Sequence, residues 1–151
     1  MIPKLILTLM VLKNISFGQS VYLKNFEPDS LRLKIVDAQR CEKAPVIDGY
    51  LTDSCWQQTK PVDEFFQIEP KELSAPSEKT SARVSYDDEA LYVFIESFDS
   101  QPEKIKKTMV RRDSWMDGFA NNSDWVGVTI DSKDDDYNGY FFAVNASGVI
   151  M

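Results

Sequence analysis

Histidine is absent from this sequence. Without an imidazole there is no Ser–His or Cys–His nucleophile pair, and the commonest metal-ligating side chain is missing. Positive charge is in the minority, with 17 Lys and Arg against 24 Asp and Glu and a net charge of −7. That balance argues against nucleic acid as a partner, because such binding rests on Lys and Arg neutralising phosphates. Cysteine is sparse. The two present, Cys41 and Cys55, are too few to make a disulfide framework. They read either as a pair that an exported chain oxidises or as two small buried apolar residues. There is no internal repeat and no long helical pattern, and the apolar run Leu5 to Leu12 falls far short of the roughly 20 residues that span a bilayer.

What is present describes a packed domain. Of 151 residues, 43% are apolar and 12% aromatic, enough for one sizeable core but not comfortably for two. Residues 1–18 have the pattern of an export signal: Lys4 at the start, the apolar run, then Ser16-Phe17-Gly18 with small residues where a signal peptidase cuts. Cleavage after Gly18 removes two lysines and no acid, taking the net charge from −7 to −9. The expected location is therefore periplasmic, outer-membrane or extracellular. Residues 19–30, ending in Glu27-Pro28-Asp29-Ser30, read as a linker, and 31–151 as the domain.

Within that domain the apolar residues recur mostly with period two. Leu31, Leu33 and Ile35 outline a half-buried strand, and Pro45-Val46-Ile47-Asp48-Gly49 a short strand into a turn in which Gly49 takes positive φ. Thr52 or Asp53 then caps one or two helical turns carrying Trp56. Glu69 to Lys79 is loop. Ala82, Val84 and Tyr86, then Leu91, Val93 and Ile95, make a hairpin around Asp87-Asp88-Glu89. Pro102 to Lys107 allows a short helix with proline at its start. In the last hairpin Val126, Val128 and Ile130 share one face, and Trp125, Gly127 and Thr129 the other; Tyr140, Phe142 and Val144 return opposite Phe141, Ala143 and Asn145. The expected fold is all-β, an antiparallel β-sandwich with one or two short helical turns. Six or seven strands, and an apolar finish at Val149-Ile150-Met151, lead us to expect further strands in a longer parent.

Several chemical patterns have an ordinary explanation beside the functional one. Asp134, Asp136, Asn138 and Gly139 fit the opening of an EF-hand loop, but its twelfth position falls on Asn145, where a bidentate Glu is needed, and a strand follows instead of a helix. An acidic hairpin loop is the better reading, with loose Ca²⁺ binding by Asp134, Asp136 and Asn138 the residual alternative. Carboxylates are plentiful, but most lie in turns and no nucleophile–base pair accompanies them, so no catalytic residue is assigned. Asn121 and Asn145 open Asn-x-Ser glycosylation patterns. Trp56 reads as core, Trp115 lies in a polar loop, and Trp125 sits beside the small residue Gly127. That last arrangement is either a flat surface for a sugar ring or a face covered by a second layer.

Three stretches together resemble the carbohydrate-binding family 9-like domains: Asp48-Gly49 through Trp56, Val84-Ser85-Tyr86-Asp87 with Leu91-Tyr92-Val93, and Asp124 through Asp131. Asp99 and Phe142-Ala143-Val144-Asn145 extend the likeness, which runs from about Lys34 to the end of the sequence. The resemblance implies a β-sandwich and a polysaccharide or oligosaccharide ligand. In the xylanase-attached branch, aromatic rings and polar residues grip a sugar end. Asp99 matches an acidic position of that grip, and Asn145 an asparagine. The clamp tryptophan of that branch falls on Asn121, a strand glutamate on Gly127 and an arginine on Ala143. Arg111-Arg112-Asp113 followed by Asp124-Trp125-Val126-Gly127 is similar to a second branch. There, in bacteria of the Bacteroidetes type, the domain follows a signal peptide and precedes a large region of unknown function, an outer-membrane barrel by expectation.

The expectation carried forward is an exported, non-catalytic carbohydrate-binding module, with Trp125, Trp115, Asp99 and Asn145 as ligand contacts and no required cofactor. The alternatives are part of a glycoside hydrolase whose catalytic residues lie outside this sequence, and a periplasmic cap of a barrel that binds no sugar.

Overall fold

The computed structural model describes residues 8–9, 38–67, 70–114, 118–133 and 138–151. The expected linker, the Leu31–Val36 strand and nearly all of the expected signal segment lie outside them. Two three-stranded sheets account for the regular structure, with only short helices, as the all-β expectation requires. Each belongs to its own compact unit: Val36–Ser100, and Gln101–Met151 together with the first residues of the chain.

In the Val36–Ser100 unit, β3 (Thr80–Tyr86) and β4 (Leu91–Ser97) form the expected hairpin, in register from Thr80↔Ser97 to Tyr86↔Leu91. A two-residue strand, β2 (Gln39–Arg40), lies on the other edge of β3 and runs parallel to it, a departure from the all-antiparallel expectation. Val62 occupies the same edge further along, exchanging two 2.8 Å backbone hydrogen bonds with Ala82. With both edges paired, β3 is the central strand, and Ala82 and Val84 are buried. The 45–49 segment does not become a strand. It runs irregularly into a bend at Asp48 and Gly49, leaving Val46 and Ile47 exposed, while Gly49 does take φ 83°.

Helix α1 (Ser54–Gln58) buries Trp56 and Cys55. Asp53 stands at its N-cap position without capping it; the carboxylate accepts from the Val46 amide instead. The Trp56 ring meets Phe94 at 5.5 Å between centroids. Ser85, on the same face of the hairpin as Phe94, is buried without a hydrogen-bond deficit: its Oγ lies 2.6 Å from Thr59 Oγ1, which also donates to the Cys55 carbonyl at 2.7 Å. Cys41 and Cys55 are joined in a disulfide, resolving the two readings of the sequence in favour of pairing.

The hairpin turn is organised by one carboxylate. Asp87 Oδ1 accepts from the Glu89 and Ala90 amides, both at 2.8 Å, and Oδ2 accepts from the Tyr92 hydroxyl at 2.8 Å. The Glu89 amide first, then the Tyr92 phenol and the Ala90 amide, hold the Asp87 carboxyl below its ordinary 3.8. The same bond to Asp87, with some burial, raises the Tyr92 phenol above 10.0. The signs differ at the two ends of the pH scale. The depressed Asp87 contributes stability above its unfolded value, lost as pH falls through its folded one; the raised Tyr92 contributes below about 10, lost as pH rises through its folded value. We expect tyrosinate absorbance, taken as the difference between the unaltered chain and Tyr92→Phe, to titrate above 10.0, and Asp87→Asn to bring that midpoint down. An unmoved midpoint would show that the carboxylate does not hold the phenol.

In the other unit, β5 (Trp125–Ile130) and β6 (Tyr140–Asn145) form the second expected hairpin, and the backbone of β1 (Thr8–Leu9) pairs with the free side of β5. Beyond β6, Gly148 at φ 79° makes the turn that brings the chain back along it. Ala143 and Met151 then exchange backbone hydrogen bonds at 2.9 and 2.8 Å. Pro102–Lys104 is a single 3₁₀ turn with proline at its start, shorter than the sequence allowed, and α2 (Ala120–Asn122) leads into β5.

Candidate functional site

Alternation divides the β5–β6 hairpin into two faces, and the face carrying Trp125 is the covered one. Phe119, Trp125 and Ala143 form its buried cluster, with Val110, Val149 and Met151 packed against it. The indole is 4% exposed, tilted against Phe119 and edge-on to Phe141, each 6.1 Å away between centroids. Trp125 is thus a core residue in this arrangement, the second of the two readings its pattern allowed.

Asn145 pairs across the ladder with Trp125 and is equally buried. Its Oδ1 accepts from the Ser147 and Val149 amides at 3.0 and 2.9 Å, and its Nδ2 donates to the Thr108 carbonyl at 3.3 Å. Ser147 Oγ donates to the neighbouring Lys107 carbonyl, and Asp124 exchanges contacts with Lys106 through both backbone and carboxylate. The side chain of Asn145 therefore closes the turn after β6 and ties it to the 106–108 segment. An amide spent in this way is not presented for glycosylation.

Asp99 lies in the other unit, just beyond β4, and is partly open to solvent. The ladder continues past its last pair, since the Phe98 amide donates to the Lys79 carbonyl at 2.9 Å. On this extension the Phe98 ring is 50% exposed, with Lys79 Nζ 6.0 Å from its centre. Ser100 Oγ donates to Glu78 Oε1 at 2.6 Å. Two pairs, Lys79 with Phe98 and Ser100 with Glu78, thus stand on adjoining residues at this end of the hairpin. The sequence reading singled out Asp99 alone. Phe98 was visible as the continuation of the Tyr92, Phe94, Glu96 face at period two, one step past the strand end.

Of the other expected site residues, Trp115, Asp134 and Asp136 lie outside the described residues. Asn138 is exposed ahead of β6. Among the described residues no three His, Cys, Asp or Glu side chains gather as a metal site.

The comparison with known families decides the wider question. Residues 47–144, well over half of the chain, match the family described as carbohydrate family 9 binding domain-like. The chain belongs to that family. As a family 9-like domain it is a carbohydrate-binding module in type, and its two sheets agree with the all-β architecture expected of one. No curated protein and no solved structure matched the chain.

Within this family 9-like domain, Gly127 and Ala143, two of the three positions at which the sequence reading departs from the xylanase-attached pattern, have a packing role. A Cβ at Gly127 would lie 2.7 and 2.8 Å from the Phe141 ring and 3.0 Å from the Trp125 indole. A glutamate there would have to displace the Phe141 ring. Ala143 is buried in the Phe119–Trp125 cluster, where a long cation would lose its hydration. At Gly127 and Ala143 the hairpin thus carries small residues packed against the Phe119–Trp125 core.

Proposed function

We propose that this chain is an exported carbohydrate-binding module that recognises a plant-type or related polysaccharide, and that it serves a larger carbohydrate-catabolism or envelope protein. The single observation that carries the reading is the family match over residues 47–144. The Cys41–Cys55 bond supports export, because disulfides persist in oxidising compartments. Among the three described candidates for ligand contact, Asp99 is the one partly open to solvent, and it is the residue we place against the sugar. Trp125 and Asn145 enter the proposal as supports of the sheet that bears them. The expected result is retardation of the full chain in native gels containing soluble xylan, mixed-linkage β-glucan or galactomannan. Unretarded migration in all three sinks the reading.

A further inference from the structure

The sugar-binding reading leaves open where an aromatic platform stands once Trp125 is core. A pyranose presents an apolar C–H face and a rim of hydroxyls, each both donor and acceptor. Its site therefore needs an aromatic face open to solvent, with charged or amide groups around the edge.

Among the described residues other aromatic rings are exposed as well: Phe66 lies in the irregular 63–67 segment, off any ladder, and Phe141 is edge-on to the buried Trp125. On the outer face of β5–β6, Tyr140 and Phe142 stand out from Val126, Val128, Ile130 and Val144. Among the described residues of that face on β5 and β6, the Tyr140 hydroxyl is the one polar side-chain group to pair with sugar hydroxyls, and desolvation of the others would go uncompensated. Tyr50 projects from the irregular loop between the two cysteines, where no strand ladder holds it.

The end of the β3–β4 hairpin is different. We infer that the half-exposed ring of Phe98, with the Lys79 ammonium beside it and the Glu78–Ser100 pair on the adjoining residues, is a stacking platform for one pyranose unit of a polysaccharide. The assignment rests on the carbohydrate-binding reading above and locates its site. The Lys79 ammonium, 6.0 Å from the ring centre, sits at the outer limit of a cation–π contact and carries three donors for sugar oxygens. Glu78 accepts one hydrogen bond from Ser100, and a carboxylate has about four lone-pair sites, so acceptor capacity is left for a hydroxyl. The 2.9 Å bond from the Phe98 amide to the Lys79 carbonyl holds the backbones of the two residues on one ladder, which limits the backbone part of the ordering cost of binding.

The test is affinity electrophoresis of the full chain in gels of the same three polysaccharides, with Phe98→Ala, Phe98→Trp, Lys79→Met and Asp99→Asn compared with the unaltered protein. We expect Phe98→Ala to weaken retardation by about tenfold or more and Phe98→Trp to preserve it. Lys79→Met and Asp99→Asn should each weaken it several-fold. The half-exposed ring predicts a melting temperature for Phe98→Ala close to that of the unaltered protein, and Phe98→Trp separates a lost platform from a lost fold. Undiminished retardation of Phe98→Ala overturns the platform and leaves the carbohydrate reading standing. No retardation of the unaltered protein overturns both.

Discussion

Trp125→Ala is expected to remove about 3–5 kcal/mol from the stability of the chain, the cost of truncating a fully buried aromatic residue. The indole is the largest member of the Phe119–Trp125–Ala143 cluster, and Phe141 leans on it edge-on. Val149 and Met151, which return along β6, also pack against that cluster. Its removal opens a cavity where the β5–β6 hairpin meets its covering segments, and little of the surroundings can collapse into it because the neighbours are held by the ladder. A marginal domain has only about 5–15 kcal/mol in total, so the variant should melt far below the unaltered protein or fail to fold. Thermal or urea unfolding followed by far-ultraviolet circular dichroism measures this directly. A variant that keeps its melting temperature and loses only glycan retardation would return Trp125 to the ligand face.

The same hairpin shows where sequence reading stops. The positions of β3, β4, β5 and β6 were legible because apolar residues alternate at period two between turn residues, and the structure places all four strands there. Which face of β5–β6 is covered was not legible, since alternation defines two faces and here both are apolar. One carries Trp125, Phe141 and Ala143; the other carries Val126, Val128, Ile130, Tyr140, Phe142 and Val144. The decision falls to Phe119 and the Val149–Met151 return, segments outside the two strands whose packing leaves no mark in the strands' own alternation. β2 escaped notice for a related reason: Gln39 and Arg40 have no apolar periodicity, and their pairing with Ser85 and Tyr86 is made by the backbone. At the candidate site, one carboxylate was legible through family resemblance, whereas the grouping of Glu78 with Ser100 and of Lys79 with Phe98 depends on how far the β3–β4 register runs.

Loss of the Cys41–Cys55 bond, by reduction or by the double replacement Cys41→Ser and Cys55→Ser, is expected to cost about 3 kcal/mol, the closure entropy of a loop of about 15 residues. The sequence separation of 14 sets that figure. The loop it closes is poorly stabilised otherwise, for it exposes Val46, Ile47 and Tyr50, and among its described contacts are single bonds from Asp48 and Asp53 to backbone amides. One end of the disulfide is fastened to the sheet, where the Cys41 amide donates to the Tyr86 carbonyl at 2.8 Å. The other lies in α1 next to Trp56, whose ring packs on Phe94. The bond therefore holds the helix against the hairpin, and without it the five-residue helix keeps, among its described contacts, the Trp56 packing and the Thr59–Ser85 hydroxyl pair. A helix this short has no stability of its own. For a unit of this size the expected fall in melting temperature on reduction is roughly 10 °C or more. Thiol titration of the denatured chain should find no free thiol before reduction and two after it, matching the two cysteines of the sequence. Two free thiols in the unreduced protein, with a melting temperature indifferent to reductant, would overturn the pairing and, with it, the support it lends to export.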